Sequence, residues 1–264
     1  MTQLSTSPVA LHYRESGEGQ RAVLLLHGVF GSGDNLGSVA RALAADYRVI
    51  SVDLRNHGSS PWSQTMDLSA MAMDVVALLD RLALPRAALL GHSLGGKVAM
   101  QVAMQHPARV ARLVVADIAP VVYPPTHQAV FAGLAALDAA PPASRQAGDE
   151  LLARHVTEPG VRQFLLKNLQ RRDDGSYGLR LNLTALQAHY AELRAAPVGE
   201  PYAGPCLFIK GERSDYITDA HRGAMQTCFP QHRLAVVAGT GHWLHAEKPT
   251  EFNALVAEFL AEAD

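Results

Sequence analysis

The sequence has few cysteines, no marked excess of one charge and no long apolar run, and each shortage excludes a class of protein. Its 2 cysteines among 264 residues, Cys206 and Cys228, exclude a disulfide-rich scaffold and favour free thiols in a reducing cytoplasm. A formal net charge of −2 argues against nucleic acid or an anionic membrane as the main partner. No stretch is apolar enough to cross a bilayer, and the opening MTQLSTSPVALHYRESGEGQ lacks the features of a secretory signal. We therefore predict a cytoplasmic protein that acts on a small molecule.

Hydrophobic residues make up 48% of the chain and charged residues 18%, so we expect a large buried core. The apolar runs are short, rich in Val, Leu and Ile, and separated by amphipathic helical patterns. Strands that alternate with helices predict a doubly wound, mostly parallel α/β sheet covered on both faces. The predicted strands are an antiparallel edge strand, VALHYRES (9–16), and the buried AVLLL (22–26), YRVISVD (47–53), AALLG (87–91), RLVVAD (112–117), CLFIK (206–210) and RLAVVA (233–238).

The alternation of strands and helices stops between residues 121 and 204. This segment begins and ends with the proline-rich stretches PVVYPP and PVGEPYAGP, and it contains amphipathic helical patterns but no strand pattern. An all-helical insertion between two sheet strands is expected to cover the carboxyl edge of the sheet, where open α/β sheets bind ligands. The sequence therefore predicts a core of residues 1–120 and 205–264 and a helical cap of residues 121–204.

The most specific motif is GHSLG at residues 91–95, which matches G-x-S-x-G between a predicted strand and a predicted helix. The turn at Ser93 must be so tight that a Cβ at Gly91 or Gly95 would collide with neighbouring backbone. Such a turn strains the serine and exposes its Oγ, while the following helix N-terminus stabilises negative charge. We predict that Ser93 is a nucleophile.

A second motif, LLLHGVFGS at residues 24–32, follows the first buried strand. A His-Gly turn at this place can direct a backbone N–H toward the carbonyl oxygen of the reacting group, and the N–H after the nucleophile supplies a second donor. We assign this oxyanion hole to the backbone N–H groups of Val29 and Leu94, with Phe30 as the other candidate beside Leu94.

A serine nucleophile needs a base, and the sequence offers 12 histidines. His242, in GTGHWLHAEKP, follows the last predicted strand, where the order Ser, acid, His places the base. His245 is the fallback. The histidines of the earlier loops are expected to have structural roles; they are His27, His57 and His92.

The acid that orients the histidine has two candidates after the nucleophile. Asp117 ends RLVVAD, and Asp215 follows CLFIK in the loop IKGERSDYIT. Either loop can reach the histidine loop and accept its Nδ1–H, so the residues alone leave both open. In the later loop, the place where an acid usually lies is occupied by Ser214. Asp53 also ends a strand, but it precedes the nucleophile and therefore has the wrong order.

Together these segments resemble the α/β-hydrolase family and, within it, the bacterial YbfF-type esterases. The similar stretches cover most of the chain in the same order: LLLHGVFGSGDNLG, VDLRNHGSSP, GHSLGGKVAM, LVVADIAPVVY, FLLKNL, GERSDYI and GHWLHAEKP. The resemblance implies an α/β-hydrolase fold with a small helical cap, and a serine esterase or thioesterase for short acyl esters, with acyl-CoA as a further candidate. It also implies that Asp117 is the acid and Ser214 an assisting fourth member. Asp215, beside that serine, departs from the pattern and stays the alternative acid.

No metal or organic cofactor is predicted, because the sequence has neither metal-ligand spacing nor a glycine-rich phosphate loop. An anionic leaving group such as CoA could meet the basic residues of the cap, although a solvated helix face is the favoured explanation of them. These residues are Arg154, Arg162, Lys167, Arg171 and Arg172.

The same Ser-His-acid geometry also serves lyases, C–C bond hydrolases and cofactor-free perhydrolases, and fold alone does not separate them from an esterase. A catalytically silent binding module is the alternative from another class, and the intact Ser93 and His242 argue against it. The sequence determines neither the acyl-chain length nor the oligomeric state.

Overall fold

A seven-stranded sheet forms the centre of the protein, in a computed structural model that describes residues 7–173 and 175–262. The strands of the chain are β1 (Tyr13–Ser16), β2 (Arg21–Leu26), β3 (Tyr47–Val52), β4 (Ala87–His92), β5 (Val110–Ala116), β6 (Leu169–Arg171), β7 (Tyr177–Leu179), β8 (Cys206–Gly211) and β9 (His232–Val237). The large sheet has the order β1-β3-β2-β4-β5-β8-β9. β1 is antiparallel to β3, and the remaining pairs are parallel. The doubly wound sheet and its antiparallel edge strand are confirmed.

Helices cover both faces of this sheet. They are α1 (Gly37–Leu43), α2 (Leu68–Arg81), α3 (Leu94–Gln105), α4 (Gln128–Ala139), α5 (Arg145–Leu152), α6 (Pro159–Leu166), α7 (Leu183–Ala188), α8 (Tyr190–Leu193), α9 (Arg222–Cys228), α10 (Leu244–Glu247) and α11 (Pro249–Ala261). Leu24 and Leu26 of β2 share a core with α2 and α3, whereas Val23 and Leu25 share one with α1 and α11. Because successive side chains of a strand point to opposite faces, a strand covered on both sides is apolar throughout.

The outer strand β9 differs from its prediction. RLAVVA was expected to be buried on both faces, but Leu234 and Val236 are 38% and 53% exposed. Ala235 and Val237 point to the other face and pack in the core that contains α11. β9 has one neighbour in the sheet, β8, and only one of its faces is covered. Its apolar sequence therefore does not indicate burial of both faces.

The segment between β5 and β8 contains α4 to α8, but it is not all-helical as predicted. β6 and β7 pair antiparallel as a separate two-stranded ribbon, with Leu169 opposite Leu179. Each strand is only three residues long, LQR and YGL, which is too short to show an alternating pattern. Gly175, in the turn that joins them, has φ +85°, a conformation that favours glycine.

The division into a core of residues 1–120 and 205–264 and a cap of residues 121–204 stays a prediction. Parts of those ranges, residues 1–6, 174 and 263–264, lie outside the described residues. Within the part that the structure describes, every helix is too short or too polar to cross a membrane.

Candidate active site

Ser93 lies in the turn between β4 and α3, with φ +53° and ψ −118°. Its N–H donates to the carbonyl oxygen of Ala116 at 3.0 Å, which holds the turn against β5. A Cβ on Gly91 would lie 2.1 Å from the carbonyl oxygen of Gly95, and a Cβ on Gly95 would lie 2.1 Å from that of Leu26. The steric requirement predicted for the two glycines is therefore confirmed.

Asp117 directly follows β5 and is fully buried. Its N–H donates to the carbonyl oxygen of Ile209 in β8 at 2.8 Å, while its φ of +53° turns the chain away from the sheet. Oδ1 accepts the N–H of Gly211 at 3.0 Å. Oδ2 accepts the hydroxyl of Ser214 and lies 2.8 Å from Nδ1 of His242. Both carboxylate oxygens thus have partners, and one of them faces the histidine.

His242 lies in the loop between β9 and α10, where three contacts hold it. The Asp117 carboxylate only accepts, so Nδ1 carries the proton and Nε2 keeps its lone pair. The ring of Tyr216 stacks on the imidazole, with centroids 4.0 Å apart and planes at 20°. Nε2 of His92 donates to the His242 carbonyl oxygen at 2.8 Å. The fallback base, His245, is buried against His92, with Nδ1 lacking a hydrogen-bond partner in the described chain.

The structure distinguishes Asp117 from Asp215, the two acid candidates that the sequence motifs left open. Asp215 is exposed, whereas Asp117 is buried and contacts Nδ1 of His242. Ser214 is buried as well; its hydroxyl donates to Asp117 and accepts the N–H of Tyr216 at 3.3 Å. The geometry thus places Ser214, and not Asp215, beside Asp117 and His242.

Ser93 and His242 line the same cavity. Among residues 7–173 and 175–262, however, no hydrogen bond joins Ser93 Oγ to the His242 ring. Hydrogen bonds between a nucleophile and its base are often long and tighten only in the Michaelis complex, so this geometry is compatible with such a pair.

Two of the three predicted oxyanion donors are free in the described structure. Leu94 is the first residue of α3, so its N–H has no acceptor within the helix. The N–H of Val29 has no hydrogen-bond partner among the described residues, and both residues line a cavity together with Ser93. The N–H of Phe30 instead donates to Nε2 of His57 at 3.2 Å. The N–H of Phe30 is therefore already engaged, which favours Val29 over Phe30 as the partner of Leu94.

His57 and His27 have the structural roles that were expected of the loop histidines. Nδ1 of His57 donates to the carbonyl oxygen of Arg55 at 2.9 Å, so Nε2 accepts the N–H of Phe30. Burial and the nearby His27 lower the pKa of His57 to about 3, which keeps this acceptor neutral. Nε2 of His27 accepts the N–H of Leu54 at 3.0 Å. The two rings thus hold the loops after β2 and β3 together.

Phe30 also contacts the segment between β5 and β8, through a residue that sequence reasoning missed. Its carbonyl oxygen accepts Nδ2 of Asn168 at 2.8 Å, and its own φ is +62°. The rings of His127 and Phe131 pack edge-on against the Phe30 ring, at 5.6 and 5.2 Å. The signal was an asparagine within the apolar stretch FLLKNL, where a buried amide must find partners.

Lys97, one helical turn after Ser93, is a second residue that sequence reasoning missed. Its Nζ donates to the carbonyl oxygens of Val121 at 2.7 Å, Arg194 at 2.9 Å and Ala195. Burial and the nearby Arg194 lower the pKa of Lys97 to about 7. A lysine within the apolar helix sequence SLGGKVAMQVAM was the signal. One amino group thus binds both chain segments that lead into and out of residues 121–204.

Two cavities meet at Ser93. The first has a volume of about 440 Å³ and is lined mainly by apolar side chains, including Leu94, Ile118, Val122 and Leu193. The second has a volume of about 730 Å³ and contains His242. Residues that line both cavities are Val29, Ser93, Thr126, His127 and Tyr216.

The basic residues predicted to meet an anionic leaving group do not converge on these cavities. Lys167 lines the second cavity, together with the acidic Glu158. Arg162 is engaged elsewhere, since its Nε lies 3.0 Å from a carboxylate oxygen of Asp149. The structure therefore brings one of the five basic side chains to the site.

The sequence matches a family model described as the α/β hydrolase fold over residues 21–249. The match includes the six parallel strands of the sheet and the turn at Ser93. The chain therefore belongs to the α/β-hydrolase family.

Relatives within this family indicate which kind of hydrolase the chain is. Esterase YbfF of Escherichia coli strain K12 is 39% identical over 239 residues, which cover 90% of this chain and 92% of YbfF. The sn-1-specific diacylglycerol lipase ABHD11 of Mus musculus is 41% identical over 251 residues, which cover 91% of this chain and 81% of that protein. The solved structure of a marine microorganism esterase has a TM-score of 0.92 at 36% identity, covering 95% and 99% of the two chains. The protein is accordingly an ester hydrolase of the YbfF type.

Proposed function

We propose that the protein is a serine carboxylesterase that hydrolyses short acyl esters through Ser93, His242 and Asp117. His242 removes the proton from Ser93 Oγ, which attacks the ester carbonyl, and Asp117 stabilises the imidazolium that forms. The N–H groups of Val29 and Leu94 bind the negatively charged oxygen of the tetrahedral intermediate. Protonated His242 then gives its proton to the leaving group, and water hydrolyses the acyl-enzyme by the same route.

The observation that supports this mechanism most is the 2.8 Å contact between His242 Nδ1 and the buried Asp117, beside the cavity that contains Ser93. A proton fixed on Nδ1 leaves Nε2 as the acceptor, which is the tautomer that a base requires. Ser214 donates to the carboxylate oxygen that His242 contacts, so we propose that it assists by orienting the acid. Asp215, exposed and away from this contact, is proposed to be dispensable for the chemistry.

The two cavities support an assignment for the halves of the substrate. His242 must protonate the leaving group, and it lines the second cavity but not the first. We therefore place the leaving group in the second cavity and the acyl chain in the first, whose apolar walls suit a short chain. Lys167 is the support for an anionic leaving group such as CoA. The free thiols of Cys206 and Cys228 support the proposal of a cytoplasmic location.

Labelling with a fluorophosphonate probe, combined with a panel of p-nitrophenyl esters and acyl-CoAs, tests this proposal. We expect the probe to modify Ser93 in the folded protein, and we expect Ser93→Ala to lose both labelling and acid release. Labelling without release of acid from any ester would instead favour a lyase or a perhydrolase. A folded protein that the probe does not label would contradict the proposal.

A further inference from the structure

His127 stands at the start of α4 and lines both cavities that meet at Ser93. Its Nδ1 lies 2.6 Å from the hydroxyl oxygen of Tyr190. The same oxygen accepts two backbone N–H groups, those of Thr126 and of His127 itself, each at 3.2 Å. Tyr190, in α8, thus binds both the ring and the backbone of the histidine.

These contacts determine which ring nitrogen of His127 carries the proton. A phenolic oxygen has two lone pairs and one proton to donate. The N–H groups of Thr126 and His127 use its acceptor capacity, so the Tyr190 hydroxyl must donate its proton to Nδ1. A neutral imidazole carries a single ring proton, so when Nδ1 accepts a hydrogen bond the proton is on Nε2. His127 therefore presents an N–H donor on the side of the ring opposite Tyr190.

This donor is available and it stays neutral. Among the described residues, Nε2 of His127 has no hydrogen-bond partner. It is also not one of the fully buried polar atoms that lack a partner, so a ligand can reach it. Burial, and to a lesser degree the nearby His242, lower the pKa of His127 to about 4. At neutral pH the ring consequently offers one N–H and no charge.

The surroundings of His127 place it toward the leaving group. His127 and His242, the residue that protonates the departing group, line the second cavity together, where the leaving group is placed. Tyr216, which stacks on His242, lines both cavities as His127 does. The carbonyl oxygen of a bound ester has two donors of its own, the N–H groups of Val29 and Leu94. The oxygen of the leaving group receives one proton, from His242, and its second lone pair is free to accept a further N–H.

We propose that the Nε2–H of His127 binds the leaving-group oxygen, so that the site acts on oxygen esters in preference to thioesters. This inference rests on the proposed function. His127 keeps its proton throughout; the proton that the departing oxygen gains comes from His242, and the electron pair of the broken C–O bond stays on that oxygen. Sulfur is a weak hydrogen-bond acceptor, so a thioester gains little from the same N–H.

The test compares ethyl butyrate with S-ethyl thiobutyrate, which differ only in the atom that leaves. kcat/KM is measured for both from the release of acid, and their ratio is compared between variants so that intrinsic reactivity cancels. In His127→Phe, which keeps a ring but removes the N–H, we expect the ester-to-thioester ratio to fall about tenfold or more, as for loss of a hydrogen bond to a partly charged oxygen. Tyr190→Phe, which frees the tautomer, should lower the ratio by a smaller factor.

His106→Phe serves as a matched control, because His106 lies at the C-terminal end of α3 and lines neither cavity. This change should leave the ratio unaltered. An unaltered ratio in folded His127→Phe, including an equal loss for both substrates, would overturn the inference. Retained fluorophosphonate labelling of Ser93 in these variants separates that outcome from failure of the proposed function, which would abolish labelling of the unmodified protein as well.

Discussion

The hydroxyl of Ser214 donates a hydrogen bond to Asp117, a residue 97 positions earlier in the chain, on the same oxygen that contacts Nδ1 of His242. The serine thus occupies the place in its loop where an acid usually lies, while the carboxylate comes from the preceding strand of the sheet. A single buried oxygen joins the serine and the histidine. Removal of either partner should therefore affect how the acid orients the base.

Ser214→Ala tests the contact between the serine hydroxyl and Asp117. The Asp117 carboxylate would keep the N–H of Gly211 and the ring of His242, so the acid should remain in place with one hydrogen bond fewer. We expect kcat to fall about threefold to tenfold, the scale of one hydrogen bond of about 1 kcal/mol. Steady-state kinetics with p-nitrophenyl butyrate measure this, and a loss as large as that of Ser93→Ala would contradict it.

Asn168→Asp tests the contact between residues 121–204 and the loop after β2, which carries Val29 and Phe30. The change keeps the size of the side chain but replaces the Nδ2–H that binds the Phe30 carbonyl oxygen at 2.8 Å with an acceptor. Two oxygens would then face each other in a buried place, and the backbone that carries the Val29 N–H should shift. We expect kcat to fall about tenfold or more, toward the cost of losing one oxyanion donor. Unchanged kcat in a folded variant would show that Asn168 does not help to position the oxyanion donors.

Lys97→Met tests the buried amino group that binds the two segments flanking residues 121–204. The change leaves the carbonyl oxygens of Val121 and Ala195 without their donor, at a cost of about 1–3 kcal/mol of unfolding free energy. The matched control is Lys248→Met, because Lys248 pairs with Glu251 on the surface and should contribute well under 1 kcal/mol. Urea unfolding of both variants gives the comparison. Equal stability of the two would show that the buried contacts contribute nothing measurable.

His57→Gln tests the pH dependence of stability. The folded pKa of His57 is about 3 and the unfolded value is about 6.5, so between these pH values the unfolded chain binds more protons at this position. Stability supplied by the neutral ring is thus present above pH 6.5 and lost as the pH falls toward 3, by up to about 1.4 kcal/mol per pH unit. Glutamine does not titrate, so the slope of unfolding free energy against pH should become shallower. Parallel curves for the two proteins would contradict this.

Much of the architecture could be read from the sequence, because buried parallel strands are apolar and the tight turn at Ser93 demands glycine on both sides. The apolar letters of β9 did not reveal its exposed face, since Leu234 and Val236 look the same whether or not a helix covers them. The ribbon β6–β7 was missed because three-residue strands carry no periodicity.

The sequence likewise predicted only some of the site residues. Chain order pointed to His242, but the choice between Asp117 and Asp215 depended on which loop points its carboxylate inward, and only the resemblance favoured one. The preference for Val29 over Phe30 as a donor depended on a hydrogen bond from Phe30 to His57, 27 residues away, which no local pattern reports. The donor on His127 likewise follows from three contacts at one Tyr190 oxygen, made across 63 and 64 residues.

The identity of the acid is the central claim, and kcat of Asp117→Asn against Asp215→Asn tests it most directly. Asparagine keeps the shape of the side chain but removes the charge and the acceptor geometry that fix the tautomer of His242. With both variants folded, we predict that Asp117→Asn lowers kcat by about 10³ to 10⁴, and that Asp215→Asn changes it by less than about threefold. A large loss in Asp215→Asn beside a small one in Asp117→Asn would contradict the account.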